Sequence, residues 1–329
     1  ITVGSSFKST LANAPVLLQA MGYVYLNSAS SDITTEGGDI ILWSNTSGQT
    51  SGAGNKYVRL ADGVSLISKG GKIVLAGGAD DGSNDGVAND GIPDGFAYRG
   101  DAGQGGVLNS AGVGVGTGGD IIIRGQTQGQ TDSPGVVSQD KFLIDSGTGR
   151  IHITGKSNNA EGINFSRAAD PNYVIQSAYT GGTAITIEGT TAYQNGMNVA
   201  GLALSTKYSG GMSGNVLIQS TGDNGGISLT GHSTGNARSF QTGFGTGITA
   251  TYQVLSKGGD IVLTGDGKDT SNYGLTLQGY GFLGARANTN AVNGVTPAVS
   301  SSTANISLVS DSYFYDRGYT ISTTGSLAF

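Results

Sequence analysis

The densest supply of metal-ligating oxygen in the chain is Asp80-Asp81-Gly82-Ser83-Asn84-Asp85-Gly86-Val87-Ala88-Asn89-Asp90-Gly91-Ile92-Pro93-Asp94-Gly95. Calcium takes about six to eight oxygen ligands, and glycine lets a short loop fold its carboxylates round an ion. Asp80, Asp81, Asp85, Asn89, Asp90 and Asp94 are the candidate ligands, and calcium is the one cofactor the sequence suggests. No Glu closes a twelve-residue loop, so the run is not an EF-hand. Asp-Gly and Asn-Asp pairs also make turns by bonding their own backbone, so a solvated acidic loop is the alternative reading.

Other carboxylates recur at one place: Asp39, Asp120 and Asp260 each follow Gly-Gly. Polysaccharide cleavage needs two or three carboxylates, or carboxylate with Arg or Lys, within about 5 to 10 Å. Lys72, Arg150 and Thr183 interrupt the series at the equivalent place, and Asp after Gly-Gly is turn chemistry. His152, between Ile151 and Ile153, faces outward if those two are buried, and His232 follows Gly231 in a turn. Nothing places a third group beside either for a Ser-His-Asp arrangement. No catalytic set is assigned, and the expectation is a non-enzymatic chain.

These residues are hung on a repeat. Gly258-Gly259-Asp260-Ile261-Val262-Leu263-Thr264-Gly265 has echoes along the chain, and Leu66 to Gly77 matches Val254 to Gly265 most closely. The first apolar residues of the units are Ile40, Ile73, Ile121, Ile151, Ile185, Ile227, Ile261 and Ile306, spaced by 30 to 48 residues. Units of this size bury their apolar side only by stacking on their neighbours. Between the echoes lie further short β segments, such as Tyr57-Val58-Arg59-Leu60, Val64-Ser65-Leu66-Ile67, Gly162-Ile163-Asn164-Phe165 and Tyr173-Val174-Ile175-Gln176-Ser177. Helical periodicity is missing throughout.

Three strands per unit predict an all-β parallel β-helix of about eight coils with inserted loops, roughly 40 Å long at about 4.8 Å per coil. Residues 1–329 are read as one continuous segment, with loops inserted near 80–95 and 286–302 and presenting variable surface. Tyr23-Val24-Tyr25 and Tyr313-Phe314-Tyr315 alternate, so one ring of each pair either packs on a neighbouring coil or faces a sugar or partner.

Composition limits the partners. Glycine supplies 59 of 329 residues and proline 5, yet 36% hydrophobic content at regular intervals suffices for a core rather than a disordered tract. Cysteine is absent, which excludes disulfides and thiolate metal sites. A net charge of −6 gives no broad basic surface to release counterions, so neither nucleic-acid binding nor membrane insertion is expected. The chain opens Ile1-Thr2-Val3-Gly4 and closes Leu327-Ala328-Phe329, and both ends read as cuts through a longer array.

The stretch from Pro15, PVLLQAMGYVYLNSASSDITTEGGDIILW, and the unit from Ile185, ITIEGTTAYQNGMNVAGLALSTKYSGG, resemble the repeats of filamentous-haemagglutinin-type proteins, the large bacterial adhesins of two-partner secretion. The resemblance runs over essentially the whole chain. It implies a right-handed parallel β-helix, an extracellular or cell-surface location, and a structural or adhesive role. The implied partners are flanking repeats or other copies of the chain, and a surface glycan or protein. A filament subunit and a carbohydrate-active β-helix enzyme are the two alternatives. Asn89 to Gly95 separately resembles the calcium-binding repeats of thrombospondin type 3.

Overall fold

The computed structural model describes residues 1–100, 107–109, 118–128, 133–138, 141–165, 172–194, 199–204, 215–241, 251–267, 274–278, 280–285, 290–316 and 318–329. Every regular element among them is a β-strand. The longest wall stacks Val16–Gln19, Ile40–Ser44, Ile73–Gly77, Ile121–Thr127, Ile151–Ser157, Thr183–Thr191, Gly226–Ser233, Ile261–Gly267, Ile306–Ser310 and Leu327–Ala328, all parallel. A second wall of ten parallel strands runs from Thr2–Val3 to Tyr313–Asp316. The third wall is formed by Phe7–Ala12, Ile33–Glu36 and Leu66–Ile67 at one end, and by six strands from Lys141–Asp145 to Tyr319–Ser322 towards the other. The chain is a parallel β-helix.

Its register follows the isoleucines. Ile40 pairs with Ile73, then the ladder passes through Ile121, Ile151, Ile185, Ile227 and Ile261 to Ile306. All eight are buried, and a leucine or isoleucine two residues on forms a second inward column. Val16 and Leu327 extend the first column by one coil at each end, so the stack has ten coils rather than eight. Near the middle of the stack, aromatic rings fill the core. Phe142 and Tyr173 stack at 4.4 Å, and Phe165 lies 5.6 Å from each.

At Gly37-Gly38, Gly70-Gly71 and Gly118-Gly119 the coil turns into the long wall through two glycines with different tasks. Gly118 has φ +130°, a conformation a side chain resists. Gly119 does not need that freedom; a Cβ there would sit 1.9 Å from the carbonyl oxygen of Gly71, one coil away. The aspartate that follows caps the next coil. Asp39 accepts the Lys72 N–H at 2.7 Å, Asp120 the Arg150 N–H at 2.7 Å, and Asp260 the Asn305 N–H at 3.3 Å. A charged acceptor on a backbone donor is worth about 1.5 to 3 kcal/mol, so the Gly-Gly-Asp motif locks coil to coil.

The inserted loops do not hang free. Near 80–95 the chain doubles back over the outer face of the long wall, where Ile92 is buried with Ile41, Trp43, Val74 and Ala76, and the Trp43 Nε1–H donates to Gly78 O at 2.8 Å. The second loop crosses the outer face of the third wall. Val292 and Val299 are buried there with Val174, Leu217 and Leu255. Asn293 donates to Phe142 O at 3.2 Å, and the Ala298 N–H to Gln219 Oε1 at 2.9 Å. Residues 286–289 of that loop lie outside the described residues. A further strand, Ala97–Arg99, pairs antiparallel with Asn55–Lys56 and parallel with the far half of Ile121–Thr127. It adds to the long wall's sheet beside the coil-to-coil path.

Candidate functional site

The acidic loop spends its carboxylates on its own backbone. Asp94, only 2% exposed, accepts the N–H groups of Asp81 at 2.8 Å, Gly82 at 2.7 Å, Asn84 at 3.3 Å and Asp85 at 3.4 Å. Asp80 accepts those of Asn89 at 2.6 Å, Asp90 at 3.3 Å and Gly91 at 2.8 Å. Asp81, Asp85 and Asp90 each bond the amide two residues on. Hydrogen bonds from Ser83, its side chain first, hold the Asp81 carboxyl below the usual carboxylate range. Asn89 turns the chain in the left-handed region, φ +62°.

A calcium cage requires converging oxygen lone pairs, whereas amide hydrogens point at these carboxylates. Among the described residues no three Asp, Glu, His or Cys side chains converge to hold an ion. The six residues singled out for calcium are therefore brought together as a self-capped loop, with no preformed cage. We expect chelation to leave the melting temperature and protease resistance unchanged. Asp94→Ala is expected to expose the loop to cleavage between 80 and 95 and to cost about 2 to 3 kcal/mol, because several buried donors lose a charged acceptor. A rise in melting temperature with added calcium would restore the ion.

Beside this loop, on the long wall, lies a groove of about 530 Å³. Its floor is the outward row Ile122 and His152, its rim the strand starts Lys72, Asp120 and Arg150, and its far side Asn84 and Asp85 of the acidic loop. Arg124 ties loop to wall. It is 2% exposed and donates to Pro93 O at 2.7 Å and Asn84 Oδ1 at 2.8 Å. Burial, only partly offset by Asp94 and Asp85, lowers the Arg124 pKa. Burial, followed by Arg124, also lowers that of His152, against the opposing pull of Glu188.

No family model, curated protein or solved structure matches this chain. Its chemistry must be read from its own groups.

The Asp39, Asp120 and Asp260 series is spent on inter-coil capping, each through one oxygen, and Asp120 also meets Arg150 at 3.5 Å. His152 faces outward as expected, into the groove. His232 does not lie in a turn: it is on the strand Gly226–Ser233, with Nδ1 2.8 Å from Asp266 on the next coil. Tyr23 stacks on Tyr57 of the next coil at 5.2 Å, the packing option of the two weighed for it, and the Tyr315 side chain lies outside the described residues.

Sequence reasoning missed Arg124 and Trp43. The available signal was a loss of alternation: Ile40-Ile41-Leu42-Trp43 and Ile73-Val74-Leu75-Ala76 are apolar on both faces, which marks a covered sheet.

Proposed function

We propose that this chain is a stiff, non-enzymatic segment of an extracellular bacterial surface protein. The observation that carries the reading is the pair of walls that each run through ten strands, with the inserted loops strapped onto the stack, an arrangement suited to bearing load. The adhesin-like repeat pattern supports the location. Commitment of the repeated aspartates to coil capping favours a structural role over polysaccharide cleavage.

The first coil exposes Phe7 at 51% and Leu11 at 71%, and the last exposes Phe329 at 75%. Unpaired strand edges of this kind pair readily, so further coils of the same chain or of another copy are the partners this reading favours. Antibody raised against the chain should label intact, unpermeabilised cells, and the chain should leave acidic and neutral polysaccharides uncut. Labelling only after permeabilisation, or turnover abolished by Asp120→Asn, would overturn the proposal.

A further inference from the structure

The groove on the long wall gathers charges beyond what strapping the loop and capping the coils require. Among the described residues three cations line it, Lys72, Arg124 and Arg150, against the two carboxylates Asp85 and Asp120. The carboxylates are partly engaged: Asp85 accepts the Val87 N–H at 2.9 Å, and Asp120 accepts the Arg150 N–H at 2.7 Å and faces its guanidinium at 3.5 Å. Of the cations, Arg150 shares Asp120 and lies 5.5 Å from the Tyr179 ring centroid, while Arg124 and Lys72 are less engaged. Arg124 gives its two bonds to neutral oxygens, those of Pro93 and Asn84, so its buried charge has no directly bonded counterion among them. The Lys72 ammonium forms no ion pair among the described residues, and the Arg150 side chain is 57% exposed. A desolvated cation beneath a concave surface projects a stronger field into it than the same charge in water.

Lys72 and Arg150 start strands on coils two apart, with Asp120 between them, which separates their backbones by roughly 10 Å at about 4.8 Å per coil. The Arg150 fork matches a planar carboxylate. Ile92 and Ile122 give an apolar shelf, while Thr183, Thr186 and His152 offer hydroxyl and imidazole groups. Together these suit a ring with one carboxylate, several hydroxyls and C–H faces. We propose that this groove binds an acidic saccharide, a short chain of uronate sugars, with Lys72 and Arg150 holding carboxylates. An acidic peptide would use the charges but leave the hydroxyl-bearing side without a match.

The test is calorimetric titration of the full chain at low salt with oligogalacturonate, a neutral glucan oligomer, a sulfated oligosaccharide and oligoglutamate. Lys72→Ala/Arg150→Ala changes two side chains outside the core, and its unaltered melting would confirm the fold. The expected result is saturable binding of oligogalacturonate that weakens at least tenfold in the double variant and falls with added salt, and no binding of the neutral oligomer. Absent binding, unchanged binding in the double variant, or equal or tighter binding of oligoglutamate or the sulfated sugar would overturn it. The outcome is independent of the cell-labelling result, so either proposal can fail alone.

Discussion

Gly119→Ala is expected to destabilise the solenoid by about 3 kcal/mol or more, the upper end for overpacking. The added Cβ would lie 1.9 Å from the Gly71 oxygen and 2.2 Å from its carbonyl carbon. Both are backbone atoms of the neighbouring coil, so relief requires the coils to part. The same substitution ordinarily stabilises by about 0.4 to 1 kcal/mol through the unfolded chain, which makes the predicted sign itself informative. Gly182 is the control. It has φ +82° but open space around it, so Gly182→Ala meets only the left-handed penalty of about 1 to 2 kcal/mol. Because repeat arrays unfold by neighbour interactions, Gly119→Ala should also split the denaturation curve into two transitions. A single transition within about 0.5 kcal/mol of the parent would refute the proposed coil contact.

That glycine shows where the sequence was legible and where it stopped. Gly-Gly-Asp-Ile was visible as a repeat, and its isoleucines gave the register, because a wall pairing like with like leaves one residue type at one height. The two glycines looked alike in sequence; only the stacked backbone separates a dihedral requirement from a close approach. The coil count fell short because Val16 and Leu327 continue the isoleucine column with other residues. The acidic loop was found from composition, but its bonding was not, since Asp oxygens suit an ion and an amide equally well. Arg124 was hidden because a long cation inside Ile121-Ile122-Ile123-Arg124 reads as solvated until a loop is known to cover it. The runs Tyr173-Val174-Ile175 and Val216-Leu217-Ile218 carry the same lesson for the second strap: consecutive apolar residues in a strand call for a partner on each face.

Tyr173→Ala is expected to cost about 3 to 5 kcal/mol, the range for emptying a buried aromatic site. Tyr173 is buried between Phe142 and the Phe165 ring, and its hydroxyl donates to Leu204 O at 2.7 Å. Tyr173→Phe keeps the stack and orphans that buried carbonyl, so it should cost only about 1 to 3 kcal/mol. The difference between the two variants then measures the ring, and the smaller loss measures the hydrogen bond. Alkaline titration supplies an independent check. Burial pushes the Tyr173 phenol well above the ordinary phenol value of 10.0, with a smaller contribution from Tyr252. A raised folded pKa gives stability that is whole below the unfolded pKa and is lost as pH climbs beyond it. Stability should therefore fall above pH 10, and less steeply in Tyr173→Phe, which has one fewer phenol to ionise on unfolding. If Tyr173→Ala melted with the parent, or the two variants matched, the aromatic trio would not be holding these coils together.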